Sequence, residues 1–142
     1  MKTEFQEEDI YTVIKSLPHL KTFAKILAQT NLEHVLRQSK ALTVFAPNDN
    51  AFAKWPQKNF AELFKDTTRA RDFLAYHLAE PAIFLAGLAV PKIIQSLQGE
   101  FLSLNPVGKP TVNNVLILEP DIAAVNGVIH VIYKVLDPHE RV

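Results

Sequence analysis

Leu42-Thr43-Val44-Phe45-Ala46-Pro47-Asn48-Asp49-Asn50-Ala51-Phe52 is the stretch on which the reading of this chain turns. Its first half is β-branched and aromatic, the composition that suits a half-buried pleated surface. Pro47 has no N–H to give a ladder, so the strand is expected to end there. Asn48 follows in N-cap position, before a helical turn that carries Ala51 and Phe52. Trp55-Pro56 ends that turn, because the residue before a proline is pushed out of the helical region. Nearer the C-terminus, Asn126-Gly127 precedes Val128-Ile129-His130-Val131-Ile132. Asn-Gly is the strongest short hairpin signal, since both turn positions require φ > 0. The strand after it is apolar on both faces except at His130, which places it centrally in a sheet.

Working outward, the first third reads as helical. Ile10, Val13, Ile14 and Leu17 recur at helical spacing until Pro18 interrupts. Leu20, Phe23, Ala24 and Leu27 continue the stripe. Thr30-Asn31-Leu32-Glu33 fits a capping box for a short helix with Val35 and Leu36. Asn59 to Lys65 and Thr67 to Ala75 read as two further helices, with Phe60, Leu63, Phe64, Phe73 and Leu74 facing inward. Pro81 and Pro91 bracket an Ala-rich segment, read as a short or irregular helix. From Gln98-Gly99 onward the pattern is β: Glu100 to Leu104, then a turn-rich loop from Asn105 to Pro110, then Val115 to Leu118 ended by Pro120, then Ile122 to Val125. Helices first and antiparallel strands later make an α+β domain.

The chain has 142 residues, 48% of them hydrophobic, which suits one domain with a substantial core. Lysine plus arginine and aspartate plus glutamate are equal at 15 each, so no global field draws the chain to nucleic acid or an anionic membrane. Locally, Lys15, Lys21, Lys25, Arg37 and Lys40 are opposed only by Glu33 in the span they cover. That makes either a solvated helical surface or a polyanion-binding face. There is no cysteine, which excludes disulfides, thiolate nucleophiles and most structural zinc sites. The longest apolar run, Ala82 to Val90, falls far short of the roughly 20 residues a span requires, so no membrane insertion is expected. The first nine residues lack the apolar segment of a signal peptide, so the sequence reads as cytoplasmic or as a mature form.

Three landmarks in register now carry a family. Thr43 to Phe52, Tyr76-His77, and Asn126 to Ile132 continuing to Val135-Leu136-Asp137-Pro138 resemble the first signature, the central tyrosine–histidine motif and the second signature of the fasciclin domain. The resemblance covers residues 9–138, flanked by tails at 1–8 and 139–142. It implies a single-domain member with a wedge-shaped β-sandwich of mainly antiparallel strands and an N-terminal helical bundle along one edge. It also implies a non-enzymatic adhesion module, extracellular or periplasmic, monomeric, without cofactor, whose partner is a protein or glycan. Some animal members bind integrins through the Tyr-His region and an Asp-Ile pair; the matching positions here are Tyr76, His77, Asp121 and Ile122. Two positions depart from the pattern. Tyr133 stands where the family usually has Asp, and Leu78-Ala79 where it has valines.

Each candidate has a structural reading beside the functional one. Alternation in a short strand puts one of Tyr76 and His77 inside and one outside. Either the pair contacts a partner, or it is a buried hydroxyl and a satisfied histidine. Asp121-Ile122 is either a carboxylate with an apolar anchor offered to a receptor, or a bend after Pro120 with Asp121 bonding backbone. His130, polar in an apolar strand, requires a bonding partner. His77 and Glu80 stand three apart, but Pro81 argues against a helix there, and no metal site is read. Phosphate loops, nucleophile elbows and metalloprotease motifs are absent from the sequence.

Overall fold

The computed structural model describes residues 8–38 and 41–136. Lys40, Asp137-Pro138, nearly all of both tails and the side chain of Phe64 lie outside the described residues. Asp9 Oδ1 accepts from the Thr12 amide at 2.8 Å and opens α1 (Ile10–Ser16). A 3-10 turn over Pro18–Leu20 then leads into α2 (Lys21–Gln29). The capping box does not form. Thr30 closes α2, donating from Oγ1 to the carbonyls of Ile26 and Leu27, and Asn31 takes the left-handed conformation at φ 62°. The hydroxyl meets the unpaired carbonyls of its own helix end, and an asparagine in αL is a helix-stop geometry. α3 (Glu33–Gln38) follows.

β1 (Leu42–Pro47) is fully buried, and α4 (Asp49–Lys54) starts as read, with Asn48 Oδ1 accepting from Ala51 N at 2.8 Å. α5 (Gln57–Lys65) and α6 (Thr67–Ala75) complete the helices, and β2 (Leu78–Ala79) returns the chain to the sheet. The Ala-rich segment holds a 3-10 turn at Leu85–Gly87. β3 (Lys92–Gln95), which the sequence reading left out, pairs with β4 (Phe101–Asn105). β5 (Thr111–Val112), β6 (Val115–Ala124) and β7 (Gly127–Ile132) follow. Pro120 does not end a strand. It lies within β6, whose ladder to β7 shifts register between Ile117 and Glu119 and again between Glu119 and Ile122. A bulge accommodates a proline that a regular ladder would reject.

The seven strands form one sheet in the order β2-β1-β7-β6-β5-β4-β3. β1 and β7 run parallel, with Val44 opposite Ile129; the other neighbours are antiparallel. A bridge between Ala79 and Ser96 joins the two ends, so the sheet folds back on itself. The domain is therefore α+β, and β7 is central and buried along its length, as its apolar pattern requires. Period-two alternation sorts β1 and β7 into two cores. Leu42, Val44, Ala46, Ile129 and Val131 pack under the helices with Ile10, Phe23, Phe52 and Leu74. Phe45 and Ile132 face the other way, into the folded sheet, with Tyr76, Leu102, Leu104, Val112 and Ile117.

The Asn126-Gly127 hairpin forms, but not by the expected geometry. Ala124 pairs with Gly127, so the turn residues are Val125 and Asn126, and among the described residues the left-handed non-glycine ones are Asn31, Asn113, Asn114 and Asp121. The two-residue turn with positive φ at both positions is Asn113-Asn114, between β5 and β6. Asn126 serves as a tie instead. Its Oδ1 accepts from Ile10 N at 3.0 Å and its Nδ2 donates to the Leu36 carbonyl, which holds α1 and α3 on the hairpin.

Candidate functional site

Tyr76 and His77 lie where α6 turns into β2, and not in a strand, so the expected inside–outside alternation does not arise. Both side chains are buried, in different cores. Tyr76 enters the folded sheet, and its hydroxyl accepts from Asn113 Nδ2 at 2.9 Å. His77 turns toward the helices, packing against Phe73 with ring centroids 4.7 Å apart. Its Nδ1 donates to the Phe73 carbonyl at 2.9 Å and its Nε2 accepts from the Leu136 amide at 3.0 Å. An Nε2 that accepts carries no proton, which fixes a neutral tautomer.

Asp121 and His130 belong to one network. Asp121 has φ 63°, in the bend that the bulged part of β6 makes. Its carboxylate is half-buried and accepts from Leu85 N at 2.7 Å and Ala86 N at 3.0 Å, holding the 3-10 turn. Its own amide donates to His130 Nδ1 at 3.0 Å, and His130 Nε2 donates to the Ile83 carbonyl at 2.8 Å. The ring stacks on Phe45 with centroids 5.5 Å apart. Burial pushes the His130 pKa below its ordinary value, outweighing the Ile83 carbonyl and the Asp121 charge, which pull it up. Although His130 Nδ1 and Asp121 Oδ1 are 3.8 Å apart, the nitrogen already accepts a backbone proton, so the pair is not ionic. From β1, Thr43 Oγ1 donates to the Pro81 carbonyl at 2.7 Å and accepts from Ile83 N at 2.8 Å. Three strands thus strap the segment Pro81 to Ala86 onto the sheet by side-chain bonds. Ile122 pairs with Ile129 and packs, partly buried, against the helical core.

Two of the basic positions meet over one ring. Lys15 Nζ and the Arg37 guanidinium lie over the Tyr11 ring, 5.0 and 5.1 Å from its centroid, and Arg37 is 3.8 Å from Asp9. Lys21 and Lys25 are exposed, one turn apart on α2. Tyr133 receives Lys54 over its ring, and the Lys54 hydrogen bond and charge lower its phenol pKa.

The sheet also presents a surface that the sequence reading missed. The outward positions of β3 and β4 are Ile93, Gln95, Phe101, Ser103 and Asn105, bordered by Lys92, and none of the five is charged. Ile93 is 63% exposed and Phe101 59%, and they lie diagonally across the ladder, since Ile93 pairs with Ser103 and Phe101 with Gln95. The signal was present in Phe101-Leu102-Ser103-Leu104-Asn105, but an apolar residue at both phases of the alternation hid which face is outside. Among the described residues, no three histidine, aspartate or glutamate side chains group to hold a metal ion, and no helix is long and apolar enough to cross a membrane.

Residues 18–138 match the profile of the fasciclin domain. An uncharacterized protein of Synechocystis, sll1735, is 30% identical over 128 residues, which are 90% of this chain and 96% of that one. Human periostin is 30% identical over 136 residues, which are 93% of this chain but 16% of periostin. The solved structure of a FAS1 domain pair from the insect cell adhesion molecule fasciclin I superposes with a TM-score of 0.66 at 17% identity, covering 83% of this chain and 45% of that one. With both signatures and the Tyr-His motif at structural junctions of the same fold, the chain belongs to the fasciclin domain family.

Proposed function

We propose that this domain is a non-enzymatic interaction module that holds a protein or glycan partner at a cell surface or in a matrix, in an extracellular or periplasmic setting. One observation carries the reading. The polar side chains of Thr43, His77, Asp121 and His130 turn inward and bond backbone, while the outer face of β3 and β4 is uncharged and partly apolar. Such an arrangement suits contact rather than turnover. Among the compared proteins, fasciclin I is described as a cell adhesion molecule, which supports the same class. In this reading Tyr76, His77, Asp121 and Ile122 act on the partner indirectly, by holding the strap and the sheet corner in place.

The test is attachment of cells or matrix to beads coated with the domain. Ile93→Asp combined with Phe101→Asp is expected to abolish attachment while leaving the thermal midpoint near that of the parent. Attachment that survives the double substitution would reassign the contact surface. The alternative is a polyanion or small ligand on the basic face of Lys15, Lys21, Lys25, Arg37 and Lys40. It requires retention on heparin that salt disrupts and that Lys21→Glu with Lys25→Glu removes. Elution of the parent domain in the void at low salt rules that alternative out.

A further inference from the structure

We infer that the segment from Pro81 to Pro91 docks the domain on a lipid bilayer surface, a contact separate from the partner face on β3 and β4. Pro81-Ala82-Ile83-Phe84-Leu85-Ala86-Gly87-Leu88-Ala89-Val90-Pro91 carries no side chain that is charged or able to hydrogen-bond. Ile83 and Leu85 anchor it in the folded-sheet core. Much of the remainder faces outward. Phe84 is 41% exposed and Val90 66%, and Ala86, Gly87 and Ala89 are exposed beside them. The backbone suits the same surroundings. The amides of Ile83, Leu85, Ala86, Gly87 and Leu88 donate within the chain, to Thr43 Oγ1, to the Asp121 carboxylate and to the carbonyls of Phe84 and Leu85. The carbonyls of Pro81 and Ile83 accept from Thr43 and His130. Three strands thus supply hydrogen bonds that water would supply to an ordinary surface loop. Hydrocarbon supplies none, so a segment that enters it has to bring its own.

These features separate a lipid surface from other partners. Protein interfaces carry about one hydrogen bond per 100–200 Å², and a glycan is held through its hydroxyls, but no side chain of this segment can take part in either. The flanks fit the headgroup layer. Lys92 follows Pro91 and is exposed, and a lysine stem lies along apolar surface while its ammonium stays at the phosphate level. Glu80, exposed at the other end, cancels that charge, so the contact does not depend on anionic lipid. The segment rests in the boundary of the bilayer and spans nothing, since a span requires roughly 20 apolar residues.

The test is flotation of the full chain with phosphatidylcholine vesicles, and with vesicles that also contain phosphatidylglycerol. The parent is expected to float with both, half-saturating at roughly 0.1–1 mM lipid. Raising NaCl from about 0.1 to 0.5 M should change little, because the contact is apolar. Phe84→Asp with Val90→Asp is expected to weaken binding at least about tenfold. A second measurement keeps the test independent of how that variant folds. The chain has no cysteine, so Val90→Cys takes a polarity-sensitive fluorophore at one position only. Lys58→Cys, exposed on α5 at the helical layer, is the control. Phosphatidylcholine vesicles should shift the emission of the label at position 90 to the blue and leave that at position 58 unmoved. A parent that stays free of phosphatidylcholine vesicles at about 1 mM lipid overturns the inference, as does floating only with phosphatidylglycerol, or equal responses of the two labels. Cell attachment by a protein that binds no vesicle removes the lipid contact and leaves the interaction-module reading standing.

Discussion

Gly127→Ala tests the account of the second signature most directly. A Cβ at this position would stand 2.1 Å from the Leu42 carbonyl oxygen, 2.6 Å from Ile10 Cδ1 and 2.9 Å from Leu42 N. Carbon contacts are comfortable from about 3.5 Å, so relief at the carbonyl requires a movement of more than an ångström. Ile10 Cδ1 is the end of a side chain and can turn. The Leu42 atoms cannot, because Leu42 N donates to the Asn126 carbonyl at 3.1 Å and Leu42 sits opposite Gly127 in the β1–β7 ladder. The clash therefore separates two buried central strands. Overpacking of an ordinary core costs about 1–3 kcal/mol, and a weakened ladder bond adds about 1 kcal/mol, so a loss of roughly 2–4 kcal/mol is expected. For a domain of this size that lowers the thermal midpoint by about 10 °C. Urea melts of Gly127→Ala and Gly108→Ala make the comparison. Gly108 has φ 69° with nothing within 4 Å of the added carbon, so its cost is left-handed strain alone, about 1–2 kcal/mol. A Gly127→Ala protein within about 0.5 kcal/mol of the parent would refute the crowding argument.

Three other outcomes follow from the same structure. Phe52→Ala should cost about 3–5 kcal/mol in urea unfolding, because the ring is buried against Trp55, Phe60 and Phe73. Asp121→Ala should cost about 2–3 kcal/mol and strip hydrogen-exchange protection from the amides of Leu85 and Ala86, since it removes their acceptor and strains a left-handed backbone. Asp121→Asn should be milder, because asparagine tolerates that backbone and still accepts. The folded pKa of His130 is lowered, so the unfolded chain takes up a proton that the folded chain refuses. The His130 contribution is therefore fully present above about pH 6.5 and is lost as pH falls from there toward the folded pKa. Urea midpoints should drop across that window, and His130→Gln should flatten part of the slope; an identical slope in the variant would remove His130 as its source.

What could be read from the sequence, and what could not, divides along a physical line. β1, the Asn48 cap and the central place of β7 were legible because each rests on neighbours in the chain or on unbroken apolarity. The failures have another origin. Thr30 fits by sequence the start of the helix after it and closes the one before it, because both helix ends offer partners and only packing chooses. Pro120 looks like a strand end by sequence, because the bulge that absorbs it is set by the ladder to β7. The signature residues show the limit most sharply. Thr43 bonds the backbone of Pro81 and Ile83, and His77 that of Leu136. Asp121 bonds the amides of Leu85 and Ala86, Asn126 the backbone of Ile10 and Leu36, and His130 that of Ile83 and Asp121. A side chain that bonds a backbone group places no demand on the identity of the residue opposite, since every residue has a carbonyl and all but proline an amide. Such a tie leaves one conspicuous polar residue and no matching mark at its far end. That is why His77 and Asp121 read from the sequence as contact candidates, and why in the fold all five are ties between segments far apart in the chain.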